Sequence, residues 1–453
     1  MNTDLLLDNL RNHFRLEPAN ARLLIVGLGA TGYSSAQFLQ NTPIKFAVVD
    51  SRKNPPLIDS MREHMPDVAV FSGGFDQAAF DVATHLLVSP GVSLNEKTIH
   101  KAMRAGVTVL SDIDLFACAT DRPIVGITGS NGKSTVTTML GDMGNAAGVK
   151  TAIGGNLGTP ALDLLQQDAE LYVLELSSFQ LERTTTLNAK AATVLNVTPD
   201  HLDRHDGLED YAKEKQRIFR GAGTMVLNAD DPVVMAMKES GRDVLTFSIR
   251  EVADFHLRAD DDQLMFGNQV LMGANDLNLE GSHNIANALA ALALGHAIGL
   301  DINAMCRALK KFKGLPHRMQ KVAEIKGIRW VNDSKATNIG ACIAALQGYQ
   351  RKVVLIAGGD GKGADMSELA PIIKEKTKAV VLIGKDAPLI EQALTNCVPT
   401  RLAGSMKEAV KIAAELASTG DSVLLSPACA SLDQYKSYAD RGNKFAEAVM
   451  ELI

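Results

Sequence analysis

The chain has 453 residues, of which 46% are apolar and 22% charged, and its net charge is −6. At about 150 residues per domain this fits about three soluble globular domains, and it excludes a global basic field that would attract nucleic acid. Five cysteines without a CxxC pair argue for reduced thiols and against a zinc site; no apolar run reaches the roughly 18 residues of a membrane span, and the first residues lack the basic and apolar regions of a signal peptide, so a cytoplasmic protein is expected.

In chain order, residues 21–110 alternate strand-like runs (Leu23-Leu-Ile-Val-Gly, Phe46-Ala-Val-Val-Asp50, His85-Leu-Leu-Val-Ser89) with helical stretches, the pattern of a parallel α/β domain. Gly27-Leu-Gly-Ala-Thr-Gly32 follows the first run and Asp50 closes the second. The pattern is a dinucleotide fingerprint with an acid placed for a ribose hydroxyl, although a glycine turn of this kind can hold any diphosphate or simply pack closely. Ser89-Pro90-Gly91 ends a neighbouring run and could add donors to the same ligand.

A second unit opens with Ile124-Val-Gly-Ile-Thr-Gly-Ser-Asn-Gly-Lys-Ser-Thr135. Strand, glycine turn and helix start form a phosphate cradle: backbone N–H groups and the helix dipole face the anion, Lys133 reaches the terminal phosphates, and a Ser134 or Thr135 hydroxyl can bind Mg²⁺. The common phosphate loop has a glycine five residues before Gly132, where this chain has Ile127. Even so, Gly-Lys-Ser-Thr in this context points to ATP. Glu175 ends the run Leu171–Leu174, the position expected of a Mg²⁺ ligand beside a phosphate loop. Asp200, His201 and Asp203 gather after the run Ala192–Asn196, although histidine is a poor Mg²⁺ ligand on hardness grounds.

In Tyr211-Ala-Lys-Glu-Lys-Gln-Arg-Ile-Phe219, residues 211, 215, 218 and 219 share one helical face, so Lys215 lies in an apolar stripe. Such a lysine ordinarily snorkels to solvent; the alternative is that burial removes its charge and leaves a reactive amine. A polar stretch around 250–280 suggests an antiparallel excursion, and Gly314-Leu-Pro316 marks the end of the unit after a helix around Ala304–Phe312. The third unit repeats the alternation at Ile328–Asn332, Val353–Ala357, Ala379–Ile383 and Ser422–Ser426. Three polar clusters follow its strand ends: Asn332-Asp-Ser-Lys-Ala-Thr-Asn338, Gly358-Gly-Asp-Gly-Lys362 and Ser426-Pro-Ala-Cys-Ala-Ser-Leu-Asp-Gln-Tyr435. Together they suggest a site for an anionic substrate.

With these motifs the chain resembles the Mur ligases over nearly its whole length. Thr128–Thr135, Gly154-Gly-Asn156, Glu175-Leu-Ser-Ser-Phe-Gln180, Asp200-His201, His283-Asn284 with Asn287, His317-Arg318 and Asp333-Ser-Lys335 fit that family in order. The 358–362 and 426–435 clusters resemble its D-glutamate-adding branch; the Asp-Asn-Pro-Arg motif of the diaminopimelate- or lysine-adding branch is absent, and Tyr438 stands where Phe is usual. The resemblance implies an α/β fold of three domains: an N-terminal Rossmann-like domain (1–111), a central P-loop ATPase-like parallel-sheet domain (112–314) and a C-terminal Rossmann-like domain (315–453).

It further implies an ATP-dependent amide ligase that acts on UDP-N-acetylmuramoyl-L-alanine and D-glutamate, as a monomer. Ala30, Thr31, Asp50, Arg52, Ser89, Pro90 and Gly91 would contact the UDP part, and Asn156, Ser177 and Gln180 would add substrate contacts. Gly129, Asn131, Gly132, Lys133, Ser134, Thr135, Asn284, Asn287, Arg318 and Asp333 would bind ATP. Ser134 and Glu175 would hold one Mg²⁺, and His201 with a CO₂-carbamylated Lys215 a second; Lys335, Thr337, Lys362, Ser431 and Tyr438 would place D-glutamate. Lys133, Glu175, His201 and Lys215 are the implied catalytic set. A nicotinamide oxidoreductase, a nucleotide-gated binding protein, another Mur-type ligase and a folylpolyglutamate-type ligase are the alternatives.

Overall fold

Twenty strands assort into three sheets, each interleaved with helices, in the computed structural model, which describes residues 2–200, 204–279, 281–349 and 351–452. The first sheet comprises β1 (Leu23–Val26), β2 (Phe46–Asp50), β3 (Val70–Ser72), β4 (His85–Val88) and β5 (Thr108–Leu110), all parallel in the order β3-β2-β1-β4-β5. The second runs through β6 (Ile124–Thr128), β7 (Thr151–Gly155), β8 (Leu171–Glu175), β9 (Ala191–Val194), β10 (Thr224–Asn228), β11 (Val244–Ser248), β12 (Phe255–Arg258), β13 (Gln263–Phe266) and β14 (Gln269–Gly273). Its order is β14-β13-β12-β11-β10-β9-β6-β8-β7; the expected antiparallel excursion is β12–β14, which extends this same sheet. The third holds β15 (Gln320–Ile325), β16 (Ile328–Asn332), β17 (Val353–Gly358), β18 (Thr377–Ile383), β19 (Thr400–Leu402) and β20 (Ser422–Leu425) in the order β15-β16-β20-β17-β18-β19, with only the β15–β16 pair antiparallel.

The runs legible in sequence are the central strands. β1, β4, β6, β8, β9 and β17 are buried at every position, because helices cover both faces of a parallel sheet and most of its side chains are then apolar. The edge strands β3 and β19 have three residues each and are partly exposed, so they carry no such run.

In each sheet the winding reverses beside a glycine-bearing strand end. β1 lies between β2 and β4, β6 between β8 and β9, and β20 between β16 and β17. Loops leaving those strands splay apart and open a crevice at the carboxyl edge, where ligands of open α/β sheets bind.

The first two sheets share one apolar core. Leu6 and Leu10 of the helix Thr3–Phe14, Phe116 of the helix Asp112–Ala119 and Tyr172 of β8 belong to the same buried cluster, and the Phe116 and Tyr172 rings meet edge to face at 5.0 Å. The third sheet has its own cores, and its described hydrogen bonds to the second sheet's loops are polar side-chain contacts. The connection through Gly314–Met319 carries positive φ at Gly314, His317 and Met319.

The glycine turn after β1 is set by close packing. A Cβ on Gly32 would sit 1.9 Å from the Gly27 carbonyl oxygen, whereas nothing lies within 4 Å of one on Gly29. Gly32→Ala is therefore expected to cost about 1–3 kcal/mol, the usual penalty of overpacking. Gly29→Ala should stay within about 0.5 kcal/mol. Chemical denaturation of the two variants checks the contrast.

Candidate active site

β6 passes into a turn in which Gly129 and Gly132 have φ of 149° and 86°, a region costly for any side chain. A Cβ on Gly132 would also lie 2.4 Å from Asn287 Oδ1. Ile127, at the position where a glycine was expected, is an interior strand residue paired with Glu175 and Thr193. The helix Lys133–Ala146 has no side-chain cap at its N-terminus, so its first N–H groups face the turn. Asn196 Oδ1 accepts from Asn131 N at 2.8 Å, and Ser130 Oγ donates to Thr198 O at 2.9 Å, which holds the turn open. Lys133 folds over it, donating to Gly129 O (2.8 Å) and Ser130 O (2.9 Å).

Lys215 does not snorkel. It is 1% exposed, with Nζ donating to Gly129 O at 3.0 Å and lying 4.2 Å from the Tyr211 ring centroid. The stripe Tyr211, Lys215, Ile218 and Phe219 is buried as read, although an α-helix (Leu208–Gln216) gives way to a 3₁₀ turn within it; Lys213 faces solvent. The Gly129 carbonyl thus accepts from two lysines. Burial first, and then repulsion from Lys133, push the Lys215 amine well below its ordinary pKa, while Asp200 and Glu175 oppose the shift.

Glu175 closes β8 at 3% exposure. Asn156 Nδ2 donates to its Oε1 at 2.7 Å; Oε2 is buried and has no hydrogen-bond partner. His201 and Asp203 lie outside the described residues, and among those described no three His, Cys, Asp or Glu side chains form a metal cluster. Asp200 accepts from Asn338 Nδ2 (3.0 Å) and pairs with Lys362 (3.4 Å), both from the third sheet's loops. Asn338 was missed as a site residue: it also donates to Asn131 Oδ1 (3.4 Å) while capping the helix Ile339–Gln347. Ser177 and Gln180 bond each other in a capping box at the start of the helix Ser178–Leu181.

A cavity of about 530 Å³ opens between the second and third sheets, lined by Thr135, Asn196, Asn284, Asn287, Arg318 and Asp333 among others. Asn284 and Asn287 sit in the first turns of the helix Ser282–Ala297, 3.4 Å apart through Asn287 Nδ2 and Asn284 Oδ1. Arg318 Nη2 donates to Ser134 Oγ at 2.9 Å. Asp333 accepts from Ser426 Oγ (2.9 Å) and Met319 N (3.3 Å), and burial pushes its pKa up to about 7.

The third sheet's clusters converge on this crevice. Lys335 Nζ lies 3.8 Å from the Tyr438 ring centroid, and its pKa falls to about 8 through burial and then the Arg318 charge. Ser431 is buried and Thr337 half-buried. Arg441 carried no motif signal, yet it is fully buried and binds all three clusters: Ser334 Oγ (3.0 Å) and O (2.8 Å), Gly358 O (3.4 Å), and the Cys429 and Ala430 carbonyls (3.1 and 3.3 Å). Only its place on the helix Tyr438–Met450 brings it there.

The N-terminal glycine turn is a separate site. The helix Ala30–Gln40 begins without a side-chain cap, so Ala30 and Thr31 present backbone donors. Asp50, read as a ribose acceptor, has both oxygens engaged: Oδ2 by Leu28 N (2.7 Å) and Arg52 Nη2 (2.6 Å), Oδ1 by Arg52 N (2.8 Å) and Nε (2.9 Å). Burial raises its pKa, but these donors outweigh that and hold it below the usual value. Asp50 thus ties the glycine turn to the end of β2. Ser89 Oγ closes it from β4, donating to Gly27 O at 2.9 Å.

Family comparisons match three successive segments: a Mur ligase MurD-like N-terminal domain over 21–111, a Mur ligase middle domain over 127–295, and a Mur ligase glutamate ligase domain over 317–429. The chain is 53% identical over 436 residues to the UDP-N-acetylmuramoylalanine–D-glutamate ligase of Methylococcus capsulatus, covering 95% of each chain. It is 50% identical over 440 residues to the ligase of the same name from Nitrosococcus oceani, covering 96% and 97%. The chain belongs to the Mur ligase family. Among solved structures, a pseudomurein peptide ligase type C from Methanothermus fervidus superposes with a TM-score of 0.64 at 19% identity, over 96% of this chain and 100% of that one, so the fold persists where sequence has diverged. No described helix of this Mur ligase is long and apolar enough to cross a membrane.

The buried lysine of this Mur ligase carries a stability cost. Its amine is neutral in the fold further below the unfolded pKa of about 10.4 than it could be in an open chain, so the unfolded state binds the extra proton and stability falls as pH drops through that window. Lys215→Met is expected to raise the thermal midpoint in CO₂-free buffer while abolishing activity, with a gain that grows as pH falls from about 10. Thermal scans across pH measure it.

Proposed function

We propose that this Mur ligase joins D-glutamate to UDP-N-acetylmuramoyl-L-alanine at the expense of ATP, in cytoplasmic synthesis of the peptidoglycan precursor. The observation that carries this reading is 53% identity across 95% of the chain to a relative named for that activity. The geometry supports it: a phosphate loop, a diphosphate-sized glycine turn and a lysine-rich crevice lie on the edges of three sheets. Residues 1–111 would hold the UDP part, 112–314 ATP and 315–453 the amino acid; one chain supplies every group, so a monomer suffices.

Glu175 and Ser134 fit one Mg²⁺, since the Glu175 Oε2 is buried and lacks any protein donor. A second would fall to His201 and Lys215, whose neutral amine can add CO₂ with loss of a proton; the carbamate supplies the hard anionic oxygens that an ammonium cannot. When bound, the cations offset charge between the phosphates and the incoming carboxylate.

The substrate's terminal carboxylate attacks the γ-phosphate, and ADP leaves. Lys133, hinged over the turn by its two carbonyl bonds, is placed to move onto the transferring phosphoryl group, where its charge matters most. Arg318 spans Ser134 and the nucleotide cavity and Asp333 lines the same wall. Lys335, stacked on Tyr438, has its pKa lowered to about 8 but remains largely protonated at neutral pH and can hold a glutamate carboxylate, with Lys362, Thr337 and Ser431 around it. The D-glutamate amine then attacks the acyl phosphate, and the tetrahedral intermediate expels phosphate. Approach of the third sheet's loops to the phosphate turn keeps water from the acyl phosphate.

Phosphate release from ATP should require both UDP-N-acetylmuramoyl-L-alanine and D-glutamate, with L-glutamate a poor replacement; equal release without either would overturn the assignment. Lys133→Ala should lower turnover by about 10²–10³-fold or more while calorimetry finds UDP-substrate binding within a few-fold of wild type. Lys215→Ala should be nearly inactive and regain part of its turnover in formate or acetate, whereas Lys213→Ala should behave as wild type.

A further inference from the structure

Arg183 lies just past the helix Ser178–Leu181 in the central unit, yet its guanidinium reaches into the first sheet. The side chain is 0% exposed. Its Nη1 donates to Ser89 O (2.5 Å), Val92 O (3.2 Å) and, at longer range, Val88 O (3.4 Å), and its Nη2 pairs with Glu182 Oε2 at 2.7 Å. Its Nε has no hydrogen-bond partner. The buried Asp112, with an unpartnered Oδ1, acts on it through its charge alone.

The backbone it grips is the turn Ser89–Gly91, which faces the glycine turn: Ser89 Oγ bonds Gly27 O, and Val92 Cγ2 lies 3.0 Å from where a Gly27 Cβ would be. Burying a guanidinium with one donor unmet is costly, and the joint between the two units does not need it. That joint already has a shared apolar core and Asp114, whose Oδ1 accepts from the backbone N–H groups of Thr185 and Thr186 at 2.8 Å each. What Arg183 adds is a fixed spacing. One end of its segment follows the Glu175–Gln180 strand end, and the other holds the turn beneath the diphosphate site.

We propose that Arg183 is a positioning residue for the UDP-bearing substrate: it sets the separation between the Ser89–Gly91 turn and the Glu175 edge, so that one molecule reaches both. The inference rests on the functional reading above. A substrate anchored at one end only must find the other by chance, so a loosened turn weakens its binding without touching the sites for ATP or D-glutamate.

The test is steady-state kinetics and calorimetry on Arg183→Met, Arg183→Lys and Asp114→Asn. Arg183→Met is expected to raise KM and Kd for UDP-N-acetylmuramoyl-L-alanine by about tenfold, with KM for ATP and D-glutamate within about twofold. Arg183→Lys, which keeps the charge but fewer donors, should fall between, and it serves alone should the methionine variant not fold. Asp114→Asn, which loosens the same joint away from the turn, should lower the thermal midpoint and leave every KM within about twofold. Unchanged UDP-substrate Kd in the folded Arg183 variants overturns the proposal, as does an equal rise in all three KM values. Failure of the wild-type protein to bind UDP-N-acetylmuramoyl-L-alanine overturns the functional reading itself.

Discussion

Two lysines, Lys133 and Lys215, donate to the same carbonyl oxygen of Gly129. Burial lowers the pKa of both amines, and the repulsion between them adds to the shift of Lys215, which is the larger. The geometry shows why. Lys133 sits on the mouth of the crevice, half-buried, with a second carbonyl at 2.9 Å; Lys215 is walled in by Tyr211 and has no other described acceptor. Its amine is the more strongly depressed of the two, and it lies 3.0 Å from the Gly129 carbonyl oxygen. Much of the active-site architecture follows from that pairing: Glu175 and Asp200 hold negative charge around it, and Asn156 fixes the Glu175 carboxylate so that one oxygen stays available.

The units are joined in two physically different ways. The first and second sheets share an apolar core, which is indifferent to ligand and resists movement. The second and third meet around the nucleotide cavity through Arg318–Ser134, Asn338–Asp200 and Lys362–Asp200, bonds that a charged ligand can replace one for one. Few-bonded polar contacts of that kind hold the two units less rigidly than a packed core would. Arg441 ties three loops of the third sheet to a single guanidinium.

Several readings made from residue order alone matched the structure because they rest on local rules. A parallel strand with both faces covered is apolar along most of its length, so the central strands β1, β6, β8 and β17 were legible. The phosphate turn was legible because positive φ and close approach leave glycine as the only fit. Short edge strands such as β3 and β19 were not, since half-exposed residues obey no such constraint.

The charge state of Lys215 needed the tertiary structure. Helical spacing put it in an apolar stripe but could not say whether that stripe reached solvent; the packing of Tyr211 and the phosphate turn over its end closed the exit. Asp50 is a mixed case: its chain neighbour Arg52 bonds it locally, and only the fold brought the Leu28 N–H to its other side. Arg183 and Arg441 left no mark on the sequence, and Asn338 showed only as the end of a polar cluster, because Ser89, Ser334 and Asn131, which they bond, are remote along the chain. The sequence by itself determined the central strands and the glycine turns that follow them, since both depend on neighbours along the chain. Which charges are buried, neutral or paired depends on neighbours in space, and that was decided only when the three sheets packed.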